Sequence, residues 1–283
     1  MNKFSVAIPT YNSSKYLKEC IYGFKNSKFI DEIIIGDDCS GIEELKNIKK
    51  IIKQANKFFN FQIKLIENSQ NLGAFKNKYK LIESSRNEWI YQIDSDNVPF
   101  SNIDKVISQI ILSHKSKMFI YYPSRLVQFW KYKKIANILS LINKKYRVRF
   151  STKIDYFDTK KTKKAINEFL RYDTKNDKTE GSPELISKFV LDKHIFWLLN
   201  CGNFIVNKNQ FLIAMDPGSE LSRDLLSMDA VAFSYLWLKA GGSIVVQPGL
   251  SHFHRKRLDS VSIVEKETSK LSRDYFTKKI LSL

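Results

Sequence analysis

Two aspartates, Asp94 and Asp96, follow the apolar segment from Trp89 to Ile93 and are separated by one residue. This segment has the length and residue types of a buried strand. Two carboxylates on the turn that leaves a strand repel each other unless a cation lies nearby. A hard divalent ion takes such oxygen ligands and can hold a diphosphate beside them. The pair therefore predicts a metal-bound phosphate site, and the alternative is a polar turn whose aspartate caps the next helix.

Polar residues also follow two other apolar segments of strand length. Asp37 and Asp38 close the segment over 32–36, where a carboxylate can accept a hydrogen bond from a nucleobase or a ribose hydroxyl. The first strand-like segment ends in the run Pro-Thr-Tyr-Asn at 9–12, which supplies a rigid turn, hydroxyl groups and an aromatic ring. Each run also has an ordinary interpretation, since an aspartate can cap a helix and the second run is by itself only a turn signal.

His252 and His254 are two residues apart, so a strand there would present both side chains on one face of the sheet. An imidazole can complete the coordination of an Mn²⁺-like ion, which accepts nitrogen ligands more readily than Mg²⁺ does. Arg255 follows at once, and its guanidinium could clamp a diphosphate. The alternative is a pair of surface histidines on a basic loop.

All of these residues need a scaffold that brings the ends of several strands together. We predict strands over 4–9, 32–36, 61–66, 89–93 and 118–121, and helices over 13–26, 42–58, 73–84 and 101–114. This alternation implies βαβ units, and therefore an α/β fold with a mostly parallel central sheet flanked by helices. Ligands of such sheets bind at the carboxyl ends of the strands.

The second half of the chain continues this pattern more sparsely. We predict strands over 203–206 and 243–246, a helix over 227–240, regular structure over 195–199 and a polar loop over 173–183. The run Asn-Cys-Gly-Asn at 200–203 leads into the first of these strands, and its glycine would allow a close backbone approach.

The composition indicates one large α/β domain with an appendage rather than two equal domains. The chain has 283 residues, of which 43% are apolar. No apolar run approaches the roughly 18 residues that a membrane-spanning helix needs. Three widely spaced cysteines, Cys20, Cys39 and Cys201, form neither a disulfide framework nor a zinc-binding spacing. Together with the lack of a recognisable signal peptide, these features predict a reduced, cytoplasmic compartment.

The positive charge is concentrated in one segment. The net charge is +18, and residues 115–164 hold 15 of the 47 basic residues but only 2 of the 29 acidic ones. Residues 132–146 have the pattern of a basic amphipathic helix, which could lie on an anionic membrane surface, and the alternative is an ordinary helix packed on the core. The same segment could attract nucleic acid, but neither a zinc spacing nor an RNA-binding sequence supports that class, so we expect no nucleic-acid partner.

Taken together, these motifs resemble those of glycosyltransferase family 2. The resemblance covers residues 4–100 clearly and 200–262 more loosely. It rests on the order and spacing of VAIPTYN at 6–12, EIIIGDDCS at 32–40, NLG at 71–73 and DSD at 94–96. It implies the GT-A type of nucleotide-sugar-binding fold, here with a basic helical insertion and a C-terminal segment. It also implies an inverting, hexosyltransferase-like enzyme of surface-polysaccharide or lipo-oligosaccharide synthesis. Such an enzyme moves a sugar from a nucleotide-sugar donor, with a UDP-sugar favoured, to a glycan or lipid-linked acceptor.

The resemblance assigns roles to residues of the first four strands. Pro9, Tyr11 and Asp38 would line the nucleoside pocket. Asp94 would approach the ribose, and Asp96 would hold the metal ion and the diphosphate.

The resemblance also assigns roles to basic residues and to the histidines. His254, in preference to His252, would bind the same Mn²⁺ or Mg²⁺ ion, and Arg255 would contact the diphosphate. After the Asn-Leu-Gly run this chain departs from the family's Ala-Arg-Asn pattern. Lys76 or Lys78 would therefore take the place of the arginine near the phosphates, as a point charge without arginine's bidentate fork.

An inverting transfer needs a base that takes the proton of the acceptor hydroxyl. Asp229 stands at the start of a strongly apolar helix and resembles the family's acidic motif, although Met228 replaces the acid that usually precedes it. Asp224 and Glu220 are alternative bases. The structural alternative is a helix-start aspartate stabilised by the helix dipole.

We predict four segments along the chain. These are a nucleotide-sugar-binding half over 1–122, a basic helical insertion over 123–182, an acceptor-binding and catalytic half over 183–262, and a C-terminal helix over 263–283. A nucleotidyltransferase is the alternative on a similar fold. Such enzymes usually open with a Gly-rich, Arg-containing phosphate loop, whereas this chain has Pro-Thr-Tyr-Asn in that place.

Overall fold

A computed structural model describes residues 3–113, 117–129, 147–149, 153–175, 202–215, 225–257 and 266–283. Several expectations from the sequence lie outside these residues, namely the amphipathic helix over 132–146, the segment over 195–199 and the alternative bases Asp224 and Glu220. Within the described part of the chain, no helix is long and apolar enough to cross a membrane.

The first 113 residues alternate strands and helices as the sequence predicts, except for one short additional strand before the last helix. The elements are β1 (Phe4–Thr10), α1 (Ser14–Tyr22), β2 (Ile30–Asp37), α2 (Ile42–Ala55), β3 (Gln62–Glu67), α3 (Ala74–Ser84), β4 (Trp89–Gln92), β5 (Val98–Pro99) and α4 (Ile103–Ser113). Each helix is amphipathic and buries its apolar face. In α2, for example, Ile48, Ile52 and Ala55 are buried, while the lysines between them face solvent.

The later elements depart more from the expectation. They are β6 (Phe119–Phe129), β7 (Arg147–Arg149), β8 (Asp155–Phe157), α5 (Thr159–Lys175), β9 (Phe204–Asn207), α6 (Lys208–Ala214), a 3₁₀ turn (Leu225–Met228), α7 (Asp229–Lys239), β10 (Ser243–Arg255) and α8 (Lys266–Ser282). Helix α5 includes residues 173–175, where we expect a loop, because no glycine or proline interrupts the sequence before Gly181. Strand β6 runs through residues 122 and 123, and the division into four segments remains a prediction.

Strands β6 and β10 are much longer than the sequence predicts. They pair in parallel over residues 119–129 and 243–255, with one irregularity around Pro248 and Gly249. Proline has no amide hydrogen for the ladder, and Gly249 adopts a φ of 83°. In the sequence these two residues indicate the end of a strand. In the structure the strand resumes after them and includes His252 and His254.

The strands form one sheet, which among the described residues has the order β3-β2-β1-β4-β9-β6-β10-β5, with β7 beside β6 and β8 beside β10. The strands β1 to β4 pair in parallel, as do β6 and β10, whereas β9 runs antiparallel between β4 and β6. The expected α/β class with a mostly parallel central sheet flanked by helices is therefore confirmed. The carboxyl ends of β1, β2 and β4 lie at one end of this sheet, where the polar motifs follow.

Two apolar layers enclose the sheet. Helices α1, α2 and α4 bury their apolar faces in one layer, and α3, α6, α7 and α8 bury theirs in the other. Successive strand residues point to opposite faces, so Ile33 and Ile35 of β2 enter the first layer and Ile34 enters the second. The sheet is thus buried on both faces, and its strand ends are held in fixed positions.

Candidate active site

Strands β5 and β10 bring two of the predicted motifs together. The Asp-Ser-Asp turn lies between β4 and β5, and β5 pairs antiparallel with β10, where His252 is opposite Pro99. The backbone N of Arg255 also donates to Oδ1 of Asn97 at 3.3 Å. The His-Phe-His-Arg segment therefore lies beside the turn, although the two are far apart in the sequence.

Asn203 holds the Asp-Ser-Asp turn from the side of β9. Its Oδ1 accepts hydrogen bonds from the backbone N of Asp94 at 2.8 Å and from Nδ2 of Asn97 at 3.4 Å. Within the turn, the backbone N of Asn97 donates to the carbonyl O of Asp94 at 3.0 Å. Because Asn97 and Asn203 are both buried, these bonds fix the direction in which the two aspartate side chains leave the turn.

Lys78 on α3 lies between two acids of the site. Its Nζ is 2.8 Å from Oδ1 of Asp94 and 2.7 Å from Oδ2 of Asp229, and the lysine is only 3% exposed. Burial opposes the charged form, but Asp229 and Asp94 outweigh it and raise the pKa of Lys78 above its usual value. The ammonium is therefore protonated, and the carboxylate of the turn and that of α7 share one cation.

Asp96 pairs with an arginine that follows β10. Its Oδ2 lies 3.2 Å from Nη1 of Arg257, which also donates to Oγ of Ser13 at 3.2 Å. Burial, and then the charge of Asp94, raise the pKa of Asp96 to about 6, even though Arg257 acts in the opposite direction. The arginine thus leaves the negative charge of this carboxylate incompletely compensated, a situation that a further cation would relieve.

Arg255 lies against the backbone of the same turn. Its Nε donates to the carbonyl O of Asp96 at 3.3 Å, and its Nη2 is 2.5 Å from Oε2 of Glu19. The guanidinium also stacks over the rings of Tyr16 and Phe129, at 4.6 and 4.4 Å from their centroids. The structure therefore places Arg255 at the site, and its contact with a diphosphate remains a prediction.

The two histidines of β10 have ring centroids 5.9 Å apart. Burial, and then His254, lower the pKa of His252 to about 3, and Nε2 of His252 lies 3.4 Å from Nδ2 of Asn203. Burial also lowers the pKa of His254, while Asp94 acts in the opposite direction. Both imidazoles are therefore neutral near pH 7, which is the form that binds metal.

Asp38, at the carboxyl end of the β2 segment, is almost fully buried. Its Oδ1 accepts hydrogen bonds from Nδ2 of Asn68 at 3.0 Å and the backbone N of Leu72 at 2.8 Å, and its Oδ2 accepts one from the backbone N of Gly73 at 2.9 Å. Gly73 has a φ of 82°, which a residue with a side chain rarely adopts. Asp38 therefore fixes the Asn-Leu-Gly turn, and its direct contact with a nucleoside remains a prediction.

The carboxyl end of β1 presents Pro9 and Tyr11 at the same end of the sheet. Tyr11 is 46% exposed, so its ring is accessible to a ligand. Asn12 follows with a φ of 47°, and its Oδ1 accepts a hydrogen bond from the backbone N of Gly41 at 3.1 Å. This hydrogen bond connects the turn after β1 to the start of α2, and so it holds the loop that carries Tyr11 in place.

The sequence offers Lys76 and Lys78 as alternative phosphate contacts. The structure brings Lys78, and not Lys76, next to Asp94 and Asp229. Residues two apart on a helix differ in direction by about 200°, and the side chain of Lys76 is exposed. The expected contact of Lys76 with the donor phosphates therefore remains a prediction. Lys78 could have been singled out from the sequence, because it has helical spacing from the buried Leu81 and Ile82 and so falls on the apolar face.

Asn203 and Arg257 are further residues that the sequence analysis does not single out. Asn203 belongs to the Asn-Cys-Gly-Asn run, but its partners come from the Asp-Ser-Asp turn and from β10, which are distant in the sequence. Arg257 lies just beyond the segment in which we favour Arg255, and only the end of β10 reveals which of the two arginines faces the carboxylate of Asp96.

The residues of this site fit a divalent ion only in part. Among the described residues there is no group of three or more His, Cys, Asp and Glu side chains that could hold a metal ion by itself. The incompletely compensated carboxylate of Asp96 and the neutral imidazole of His254 are nevertheless donors of the kinds that Mn²⁺ takes. In His252, Nε2 lies against Asn203, so Nδ1, which has no hydrogen-bond partner among the described residues, is the nitrogen that it could offer to an ion. The site therefore fits an ion whose other ligands come from a diphosphate and water.

The sequence matches the model of glycosyl transferase family 2 over residues 5–172. Over 123 residues it is 27% identical to the poly(ribitol-phosphate) beta-N-acetylglucosaminyltransferase TarS of Staphylococcus aureus strain Mu50. This match covers 42% of this chain and 21% of TarS. Over 124 residues it is 26% identical to an uncharacterized glycosyltransferase of Haemophilus influenzae. This match covers 43% of this chain and 38% of that protein. The chain thus matches about a fifth of the length of TarS.

Solved structures share the fold at low sequence identity. S. aureus TarS has a TM-score of 0.57 at 17% identity, covering 95% of this chain and 39% of that chain. TarS 1–349 in complex with UDP-GlcNAc has a TM-score of 0.50 at 16% identity, and the match covers 99% of this chain and 70% of that chain. GalNAc-T7 with UDP, GalNAc and Mn²⁺ has a TM-score of 0.56 at 14% identity, covering 91% and 44%.

These neighbours are GT-A glycosyltransferases, so the expected GT-A type of fold is confirmed. The resemblance that the motifs suggested is confirmed as well, because the family model spans more than half of the 283 residues. The chain belongs to glycosyl transferase family 2.

Proposed function

We propose that this chain transfers a sugar from a nucleotide-sugar donor, with a UDP-sugar favoured, to an acceptor hydroxyl. The proposal rests on the proximity of the Asp-Ser-Asp turn to Asp229. Nζ of Lys78 lies between them, 2.8 Å from Asp94 and 2.7 Å from Asp229. Membership of the family supports the class of reaction. The donor is supported by TarS and GalNAc-T7, whose structures contain UDP-GlcNAc or UDP.

The donor's nucleoside would bind at the carboxyl ends of β1, β2 and β4. Tyr11 offers an exposed ring there, and Pro9 shapes the turn beside it. Asp38 would act on the nucleoside directly or through the Asn-Leu-Gly turn that it fixes. The side chain of Asp94 keeps 32% of its surface exposed despite its ion pair, so it can accept a hydrogen bond from a ribose hydroxyl.

Asp96 and His254 would hold a divalent ion, Mn²⁺ or Mg²⁺, against the diphosphate. When bound, such an ion stabilises the negative charge of the leaving group. Arg257 and Arg255 flank the same turn and would balance the remaining charge of the phosphates. The described site would thus supply a carboxylate and an imidazole for the ion and two guanidinium groups for the leaving group.

Asp229 would be the base of an inverting displacement. It is the first residue of α7, where the helix dipole favours a negative charge. The acceptor oxygen would form a bond to the anomeric carbon while the bond from that carbon to the diphosphate breaks. The proton of the acceptor hydroxyl would pass to Asp229.

We further propose a glycan or lipid-linked acceptor in surface-polysaccharide or lipo-oligosaccharide synthesis, met by an enzyme held at the cytoplasmic face of a membrane. The name of TarS, with its poly(ribitol-phosphate) acceptor, supports a polymeric substrate. On this chain, Lys153, Lys160 and Lys164 are exposed, as are the apolar Ile154 and Tyr156, and all five fall within residues 153–164. Each such lysine near an anionic lipid surface contributes about 1 kcal/mol.

Liposome flotation tests the membrane part of this proposal. We expect the full chain to float with vesicles that contain anionic lipid at low salt and to be released at high salt. Vesicles of neutral lipid are the control. No flotation with anionic vesicles at low salt would contradict membrane binding and leave the transfer reaction untouched.

A thermal-shift panel tests the donor site. UDP, GDP, CDP and dTDP would each be added with Mn²⁺ or with EDTA to the wild type, to Asp96→Asn and to the control Asp274→Asn, which changes an exposed acid on α8. A ligand at 100 times its Kd adds about 2.7 kcal/mol of stability, which is easily measured. We expect UDP to stabilise the wild type and the control only with metal, and Asp96→Asn to abolish the shift. If no nucleotide stabilises the protein, the proposed donor site is wrong.

A further inference from the structure

Lys78 connects parts of the site that come from separate segments of the chain. Asp94 follows β4, Asp229 begins α7, and Lys78 itself belongs to α3. Besides the two carboxylates, its Nζ lies 3.4 Å from the carbonyl O of Gly202, just before β9. One ammonium group on α3 is therefore the common partner of three other segments.

The position of this ammonium is set by helix packing. One turn away from Lys78 on α3, the ring of Phe75 stacks on that of Phe233 in α7, with centroids 4.4 Å apart and planes 18° apart. Phe233 is likewise one turn from Asp229 on α7. The same two helix faces that pack these rings together thus bring the lysine to the aspartate. The lysine has little freedom to leave this place, because it is almost fully buried.

Gly202 is shaped to this arrangement. A Cβ atom at this residue would lie 2.9 Å from Nζ of Lys78, closer than real Cβ contacts, and 3.0 Å from Oδ2 of Asp94, which is a tight contact. Any side chain at 202 would therefore require the ammonium to shift from its observed position. The absence of a side chain at this residue lets their ion pair form at the observed position.

Stability alone gives little reason for a lysine here. A buried ion pair is seldom more stabilising than an apolar side chain of similar volume, because both charges must leave water. The rest of this helix face is apolar, with Phe75, Leu81 and Ile82 buried. What the lysine adds is a fixed cation between two carboxylates that would otherwise repel each other.

We propose that Lys78 is a positioning residue of the transfer reaction, whose ammonium ties the Asp229 carboxylate to Asp94 and so holds it at the donor site. The inference rests on the proposed function, in which Asp229 is the base. With Oδ2 held by the lysine, Oδ1 is the oxygen that receives the proton of the acceptor hydroxyl. Lys78 remains protonated throughout and does not touch the reacting atoms.

The test separates turnover from donor binding. UDP release from UDP-GlcNAc with Mn²⁺, with water as the acceptor, would be measured for the wild type, Lys78→Met and Lys78→Arg, and the Kd for UDP would be measured separately. The exposed Lys105→Met on α4 is the matched control. Methionine keeps the length of lysine but loses the charge, whereas arginine keeps the charge.

We expect Lys78→Met to lower kcat by about 100-fold, the effect of a displacement of about 1 Å in a catalytic group. The Kd for UDP should change far less than kcat, because the lysine acts on Asp229 and does not itself contact the donor. Lys78→Arg should recover part of the lost kcat, and Lys105→Met should behave as the wild type. A wild-type kcat in Lys78→Met would overturn the proposal. So would a weaker Kd for UDP at normal kcat, since the lysine would then be a phosphate contact.

Two further outcomes are distinguishable. If Lys78→Met does not fold, adding Asp94→Asn removes one of the two carboxylates that the variant leaves without a cation, and the kcat of this double variant is compared with that of Asp94→Asn alone. The proposal requires the double variant to be slower, and equal rates would overturn it. If the wild type releases no UDP from any UDP-sugar, the proposed function itself fails. Release by the wild type with full activity of Lys78→Met removes only the role of Lys78.

Discussion

The guanidinium of Arg257 forms an ion pair with the carboxylate of Asp96, with Nη1 3.2 Å from Oδ2. This carboxylate is the oxygen donor that we propose for the divalent ion. Oγ of Ser13 accepts a hydrogen bond from the same nitrogen, which holds the arginine in place. A metal ion that approaches Asp96 without a nucleotide therefore meets a positive charge already beside its ligand.

Removing this charge should strengthen metal binding in the absence of nucleotide. We expect Arg257→Gln to bind Mn²⁺ about tenfold more tightly, equivalent to about 1.4 kcal/mol, because the ion no longer competes with the guanidinium. The measurement is a titration that follows free Mn²⁺, with Arg273→Gln on α8 as the control. Unchanged or weaker Mn²⁺ affinity in Arg257→Gln would show that the ion does not bind at Asp96.

Asp38 should contribute to stability without any ligand. The change Asp38→Asn replaces one of the two acceptor oxygens with an NH2 group, which cannot accept the hydrogen bond from the backbone N of Leu72 or from that of Gly73, depending on which of them it faces. We expect the free energy of unfolding to fall by about 1–3 kcal/mol, the usual cost of a buried group left without its partner. Urea denaturation of the protein without nucleotide measures this loss. An unchanged free energy of unfolding together with lost UDP binding would make Asp38 a ligand contact only.

Glu32 should make the stability depend on pH. Its buried carboxylate accepts hydrogen bonds from Oγ of Ser5, the backbone N of Arg86 and Nζ of Lys64, at 2.5, 2.9 and 2.9 Å. Burial raises the pKa of Glu32, but these hydrogen bonds outweigh it, so its pKa lies below the usual 4.5. A carboxyl group whose pKa is lower in the folded than in the unfolded state stabilises the fold at pH values above its unfolded-state pKa. This contribution is lost as the pH falls through the folded-state pKa.

The matching variant is Glu32→Gln, compared with the wild type by urea denaturation between pH 7 and pH 3. At pH 7 we expect it to be less stable by about 1–3 kcal/mol. The difference should shrink as the pH falls below 4.5, where Glu32 of the wild type also becomes neutral. A difference that stays constant over this range would mean that the ionised form of Glu32 is not what stabilises the fold.

Local patterns in the sequence carry much of the fold. The strands and helices of the first 113 residues follow from hydrophobic periodicity, and the polar runs after β1, β2 and β4 meet because parallel strands end on the same side. The extent of β10 does not follow in the same way, since Pro248 and Gly249 interrupt its pattern. Only its pairing with β6 shows that the strand continues.

The interior of the site depends on contacts between distant segments. The sequence indicates the chemistry of Asp94, Asp96 and Asp229, but not that one lysine lies between the first and the last of them. Helical spacing places Lys78, and not Lys76, on the apolar face of α3, but only the packing of α3 against α7 shows that Lys78 reaches Asp229. The choice between Arg255 and Arg257 likewise depends on where β10 ends beside β5.

The most direct test of the central claim is UDP release from UDP-GlcNAc with Mn²⁺ by the wild type and by Asp229→Asn, together with the Kd for UDP of each. A general base contributes about 10²- to 10⁴-fold to a rate. We therefore expect the wild type to release UDP, and Asp229→Asn to be slower by a factor in this range while it binds UDP normally. If the wild type is inactive with every UDP-sugar, or if Asp229→Asn is as fast as the wild type, the proposed reaction at this site is contradicted.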